Sequence, residues 1–322
     1  MRRPSIAVIV PVYNSAELLR PLVARLAPVL AANADSYELV LVNDCSRDQS
    51  WEVVLELARE HAWIRGVHLM RNYGQHNAIL CGIRAVRSDV IVTMDDDLQH
   101  PPEELPKLLA MLGEDCDVVY GTPQKEQHGL LRDAASQITK LALQKAMGAE
   151  TARKVSALRA FRTALRDGFA NYQGQFVSID VLLTWSTTRF KSIPVRHDAR
   201  QSGVSNYTYR KLLTHALNMV TGFSTFPLQI ASLIGFVFTL FGIGVLVFVV
   251  VRTIFSGSPV QGFPFLASII AIFSGAQLFA LGIIGEYLAR MHFRMMDRPT
   301  YTVRATTPLA QPATTASEAR IR

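Results

Sequence analysis

Short apolar runs alternate with longer amphipathic ones over the first half of the chain. Ser5–Val12 (SIAVIVPV) and Tyr37–Val42 (YELVLV) are rich in β-branched residues, whereas Glu17–Leu30 between them carries Leu, Val and Ala at helical spacing. This reads as strand, helix, strand. The same rhythm predicts a helix over Ser50–His61, a strand near Gly66–Leu69, a helix over Asn77–Val86 and a strand over Asp89–Met94. Beyond Pro101 it predicts a helix Glu103–Leu112, a strand Asp117–Tyr120 and a basic, mainly helical stretch to Gly148; Phe176–Arg200 mixes apolar and polar residues without a clear period. Strands that alternate with helices imply an α/β domain whose mostly parallel sheet is covered on both faces. In such sheets ligands sit beyond the carboxyl ends of the strands. Asn43-Asp44 and Asp95-Asp96-Asp97 follow two of the predicted strands at that end.

After Phe226 the pattern changes. Leu228–Val251 contains no charged residue, and Phe263–Gly285 is uncharged up to Glu286. At 1.5 Å per residue the first run spans about 36 Å, enough for a hydrocarbon core of about 30 Å. Core helices seldom stay uncharged on every face for that length, so the reading is a transmembrane hairpin over about 228–251 and 263–286 within 226–289. Residues 207–225 form a moderately apolar stretch suited to the membrane interface. Arg210 and Lys211 precede the hairpin, and Arg290, Arg294 and Arg298 follow it. The loop Thr253–Gly262 carries no charge, although Arg252 lies at its edge. Cations on the two outer flanks place both ends in the cytosol. At the N-terminus Ile6–Val10 is too short for a signal-peptide core, so the domain over 1–206 is expected to stay cytosolic. The tail over 290–322, rich in Thr, Ala and Pro after Tyr301, is expected to be partly disordered.

Composition adds two points. Across 322 residues the formal charge is +7, with 49% hydrophobic residues. The cations are dispersed without interleaved aromatics and several flank the hairpin, which favours anionic lipid over nucleic acid as their partner. Cys45, Cys81 and Cys116 form no CxxC pair, so neither a zinc site nor a disulfide framework is indicated.

The chemistry centres on Asp95, Asp96 and Asp97. Hard oxygen ligands suit Mg²⁺ or Mn²⁺ bridged to a diphosphate. On an extended strand end Asp95 and Asp97 share a side, and Gln99 can join them with an amide oxygen. PVYN at Pro11–Asn14 offers a rigid turn with a ring suited to a base or ribose, or an ordinary strand-ending turn. Asp44 is placed either to meet a nucleobase or to cap a helix.

The order of PVYN, VND-S, RNYGQHNAILCG and DDDLQHPPEE resembles the polyprenyl-phosphate glycosyltransferases of the inverting GT-A type, over residues 5 to about 300. RNYGQH at Arg71–His76 and the hairpin closing on GEY at Gly285–Tyr287 are similar to their bacterial undecaprenyl-phosphate branch. The resemblance implies a GT-A (Rossmann-like) domain that moves a sugar from a UDP- or GDP-linked donor to undecaprenyl phosphate, for lipopolysaccharide or another surface glycan. It implies a bacterial inner-membrane location, with the bilayer, donor and lipid acceptor as partners; homo-oligomerisation stays open.

By position it implies that Pro11, Tyr13, Val42 and Asp44 line the nucleotide, that Asp96 lies against the donor, and that Asp95, Asp97 and Gln99 hold the metal. Arg132 and Ser136 would receive the lipid phosphate, and Arg200, in RQSGVSNY, would close over the diphosphate.

Three residues depart from the resemblance. Ser15 replaces an acid after PVYN, leaving an acceptor for the base missing or supplied by Glu17. Asn206 replaces a lysine, and Arg153 stands where an aspartate considered a catalytic base is usual. A phosphate monoester with a second pKa near 6 is already an anion at neutral pH, so transfer needs no such base. Asp180, in FVSIDVLL, is a candidate carboxylate that pairs with Arg153 or orients a donor hydroxyl. A catalytically inactive GT-A membrane scaffold remains the alternative that Arg153 and Asn206 leave open. A processive polysaccharide synthase is disfavoured by the absence of Gln-x-x-Arg-Trp and of further spans.

Overall fold

A computed structural model of the chain describes residues 3–123, 155–174, 177–198, 226–256, 263–296, 298–308 and 313–314. Arg132, Ser136, Arg153, Arg200, Asn206, Arg210, Lys211 and the stretch 207–225 lie outside the described residues. The chain divides into two units: Met1–Tyr209 with Arg298–Arg322, and Arg210–Asp297.

The first unit is built on β1 (Ser5–Val12), β2 (Ser36–Asn43), β3 (Ile64–Leu69), β4 (Val90–Thr93), β5 (Val118–Pro123), β6 (Arg159–Arg162), β7 (Phe190–Val195), β8 (Val303–Thr306) and β9 (Ala313–Thr314). Their order is β7-β5-β6-β4-β1-β2-β3-β8, with β9 paired to β2. β1 pairs in parallel with both β2 and β4, β2 with β3, and β5 with β7; β6 runs antiparallel between β4 and β5.

Helices α1 (Ala16–Asn33), α2 (Ser50–Glu60), α3 (Gln75–Ala85) and α4 (Leu105–Met111) lie where periodicity predicts them, α4 being preceded by a 3₁₀ turn at Pro102–Glu104. Ile6, Val8, Val10 and Val12 share a buried cluster with Leu19, Leu22, Leu26 and Leu105. The alternate residues face α3: a Cβ added at Gly82 would lie 2.4 Å from the Ile9 side chain and 3.3 Å from that of Val42. Burial on both faces explains why β1 reads as unbroken apolar sequence rather than as an alternation.

The expectation of a disordered tail after Tyr301 is corrected at its first part. Val303–Thr306 pairs antiparallel with β3, Thr307 N donates to Gly66 O at 3.0 Å, and Gly66 N donates to Thr307 Oγ1 at 2.9 Å. Strand pairing at a sheet edge satisfies backbone groups and needs little apolar surface, which is why composition did not reveal it. The segment is fastened further by Arg84, which donates to Thr300 Oγ1 at 3.3 Å and lies 5.7 Å from the Tyr301 ring centroid.

The second unit holds α6 (Phe226–Ser256) and α7 (Phe263–Met295); α5 (Ile179–Thr184) belongs to the first. Stretches Pro227–Arg252 and Ile272–His292 are long and apolar enough to cross a membrane. Phe273 of α7 meets Phe238 and Phe241 of α6 at 5.5 and 6.4 Å between ring centroids. Thr239 Oγ1 donates to Gly235 O one turn back at 2.8 Å, which hides a hydroxyl inside an apolar helix. The helix α7 runs past Glu286, where the uncharged run ends, and Glu286 and Arg290 pair one turn apart there at 2.7 Å.

Candidate active site

The carboxyl ends of β1, β2 and β4 gather three polar turns. The turn after β1 is knitted to the one after β2: Ser46 Oγ accepts from Asn14 N at 3.0 Å, Ser50 Oγ from Ser15 N at 3.0 Å, and Asn14 Oδ1 from Arg47 N at 2.8 Å. Asn14 and Cys45 adopt positive φ, 55° each, a conformation that costs most residues energy and is held here by these bonds. Tyr13, 39% exposed, leaves its ring open to solvent above the strand ends, whereas Val42 is fully buried beside α3 and offers no surface to a nucleotide. Val42 therefore supports the floor of the site rather than lining it.

Asp44, expected to line the nucleotide, is buried and holds a loop. Its two oxygens accept from Tyr73 N and Gly74 N at 2.7 Å each, fixing the turn that carries RNYG. Burial raises its pKa above the ordinary carboxylate value, and these two bonds only partly offset that.

Asp96 lies against the first turn. It accepts hydrogen bonds from the Ser15 hydroxyl and from Tyr13 N, the latter at 3.3 Å. Burial raises its pKa while both bonds pull the other way. The departure at Ser15 thereby acquires a physical meaning: an acid there would set a second carboxylate beside Asp96, whereas the hydroxyl donates to it.

The acidic turn itself bends at Leu98, with φ 58°, and closes as Gln99 N donates to Asp97 Oδ1 at 3.1 Å. Asp95 Oδ1 accepts from Gln75 Nε2 at 2.6 Å. The segment after β7 is tied to the same turn, since Asp198 N donates to Gln99 O at 2.8 Å and the His197 ring meets that of His100 edge-on at 4.9 Å. Burial lowers the His100 pKa to about 4, His197 adding to the effect, so at neutral pH this ring brings no cation beside the carboxylates.

Among the described residues no three of His, Cys, Asp and Glu are gathered into a self-sufficient metal site. Two carboxylates and an amide oxygen on one turn form an incomplete set of hard oxygen donors. That set fits Mg²⁺ or Mn²⁺, which keep positions for substrate phosphates and water.

Asp180 belongs elsewhere. It is buried in α5, where its Oδ1 accepts from Tyr120 Oη at 3.0 Å and from Arg159 Nη1. Among the described residues its cationic partner is Arg159 of β6; Arg153, the partner expected from the sequence, lies outside the described residues. Burial, with the Asp180 charge next in size, pushes the Tyr120 pKa well above its ordinary value, so the phenol stays protonated and donates. Gln75, by contrast, lies within the RNYGQH run, yet its side-chain type gives no hint of a partner.

Residues 7–176 match the profile of glycosyl transferase family 2. The undecaprenyl-phosphate 4-deoxy-4-formamido-L-arabinose transferases of Salmonella choleraesuis (strain SC-B67) and Salmonella paratyphi B are each 34% identical over 301 residues, 92% of this chain and 92% of theirs. Glucosyl-3-phosphoglycerate synthase from Mycobacterium tuberculosis, crystallised with Mn²⁺, UDP and glucosyl-3-phosphoglycerate, superposes with a TM-score of 0.51 at 16% identity. The superposition covers 68% of this chain and 78% of that one, a likeness of fold.

Proposed function

Because the chain belongs to glycosyl transferase family 2 and is a glycosyltransferase, we propose that it passes a sugar, with inversion, from a UDP- or GDP-linked donor to undecaprenyl phosphate. The work would be done at the cytosolic face of a bacterial inner membrane, for modification of lipopolysaccharide or another surface glycan. One observation carries this reading. The match to undecaprenyl-phosphate transferases extends over 92% of both chains, too much to omit either the acidic turn or the two apolar helices.

In this reading Tyr13 packs on the nucleoside, Pro11 and Val42 shape the floor beneath it, and Asp44 and Asp96 hold the turns around it. Asp95, Asp97 and Gln99 would hold a divalent cation, Mg²⁺ or Mn²⁺, which offsets the charge gathering on the departing diphosphate. Arg132 and Ser136 are assigned to the acceptor phosphate, where a guanidinium and a hydroxyl suit a phosphomonoester. Arg200 is assigned to the donor diphosphate.

An oxygen of the lipid phosphate attacks the anomeric carbon from the face opposite the diphosphate. The new carbon–oxygen bond forms as the bond to the β-phosphate oxygen breaks, and the nucleoside diphosphate leaves with the electron pair. No proton has to be removed from the nucleophile at neutral pH, so Asp180, committed to Tyr120 and Arg159, is left out of the step.

The test incubates the full-length protein in detergent with undecaprenyl phosphate and a panel of UDP- and GDP-sugars, and weighs the lipid. A lipid heavier by one glycosyl group from at least one donor is expected. Unchanged lipid with every donor overturns the reading.

A further inference from the structure

The helix α3 starts at Gln75, directly after Gly74, whose φ of 91° bends the chain where a side chain would be strained. That bend is held from two directions. Asp44 at the end of β2 binds the Tyr73 and Gly74 amides, and Asn77 Nδ2 donates to Tyr73 O at 2.7 Å. A third tie comes from α5, as Ile179 N donates to His76 Nδ1 at 3.4 Å. The first turn of α3 is therefore a fixed platform beside the acidic turn.

From this platform Gln75 Nε2 reaches Asp95 Oδ1 at 2.6 Å, although Gln75 itself is exposed. An exposed hydrogen bond between neutral and charged side chains adds little to folding. Its effect is geometric: a carboxylate bound at one oxygen no longer exchanges its two oxygens freely by rotation about its last torsion. Groups that orient a metal's ligands commonly change metal affinity by about 10–100-fold when removed.

We infer that Gln75 is a positioning residue that aims Asp95 at the divalent cation of the donor diphosphate, on a loop whose shape Asp44 sets. The inference rests on the metal reading of Asp95, Asp97 and Gln99. Asp44 thus joins the nucleoside end of the site to its metal end through Tyr73, Gly74 and Gln75, while ligating neither itself.

The test measures Mn²⁺ uptake by electron paramagnetic resonance on the full-length protein in detergent, with UDP and GDP present in turn. Gln75→Met keeps the length of the side chain and loses the N–H donor; Gln75→Asn keeps the amide but is one methylene too short to reach Asp95. Both variants are expected to bind Mn²⁺ about tenfold more weakly at an unchanged melting temperature. In turnover the Mn²⁺ concentration for half-maximal rate should rise by the same factor, with kcat recovered at saturating Mn²⁺. Mn²⁺ affinity within twofold of wild type in either variant overturns the positioning role. Failure of the wild type to take up Mn²⁺ with either nucleotide overturns the metal reading, and the role of Gln75 with it.

Discussion

Asp95–Asp97 and Asp180 both adjoin apolar sequence, and the fold treats them in opposite ways. The acidic turn ends a parallel strand and receives neutral donors: the Gln99 amide, the Gln75 side chain, the Ser15 hydroxyl. Asp180 and its partner Arg159 have side chains 8% and 3% exposed, and the Tyr120 phenol completes the pair. Carboxylates held at a strand end by neutral donors are placed to meet a ligand. Negative charge already matched by an arginine in the core serves the fold.

The strongest way to break this contrast is to remove the carboxylate assigned to the metal. Asp97→Ala is expected to lower glycosyl transfer by a factor of about a thousand or more while the melting temperature moves little. Wild-type activity in that variant would put the acidic turn on the structural side of the comparison. Chelation probes the same region without mutation: EDTA should abolish transfer, and Mn²⁺ or Mg²⁺ should restore it with unchanged circular dichroism.

At the other pole, Arg159→Met leaves the Asp180 charge buried beside Tyr120 alone. A loss of about 3–5 kcal/mol in unfolding free energy is expected, read by denaturant titration. Replacing both, as Arg159→Met with Asp180→Leu, should recover much of it, because the uncompensated charge disappears. If Arg159→Met instead spares stability and removes activity, Asp180 belongs with the catalytic carboxylates.

Asp117 supplies an intermediate case and the smallest effect. It is itself buried but bound to Arg189, whose side chain is 55% exposed, at 2.8 Å, and to Thr187 at 2.6 Å. Burial alone would raise its pKa; the bonds from Arg189 and Thr187, with the charges of Arg189 and Arg162, outweigh burial and lower it. A depressed folded-state pKa gives stability that is present above the unfolded value, near 4, and lost as the pH falls through the folded value. Asp117→Asn should cost about 1 kcal/mol at pH 7, a figure kept small by the exposed partner, and should flatten the loss of stability in acid. A melting curve taken across pH 7 to 2 checks both.

Much of this is legible in the sequence alone. The strand Ser5–Val12 was read to the residue, since eight consecutive positions, all but the first buried, leave an unmistakable run. The acidic turn was legible because it interrupts such a run with three charges. The strand β6 was not read as one: in Arg159–Arg162 the first arginine is buried and the last exposed, so the pattern carries no clean alternation. The partner of Asp180 was hidden for a related reason, because Arg159 comes close only when β6 inserts between β4 and β5. The role of Gln75 was hidden because an exposed amide has no periodic signature.

The strand β8 carries a consequence for how the protein is made. The edge of β3 is covered by residues synthesised after both apolar helices, roughly a hundred residues after β7 is complete. At about 5–20 residues per second, a ribosome leaves that edge uncovered for some 5–20 seconds while the hairpin emerges. The domain that carries the acidic turn is thus finished only once both long apolar helices have been made, and every polypeptide able to close the sheet already contains them.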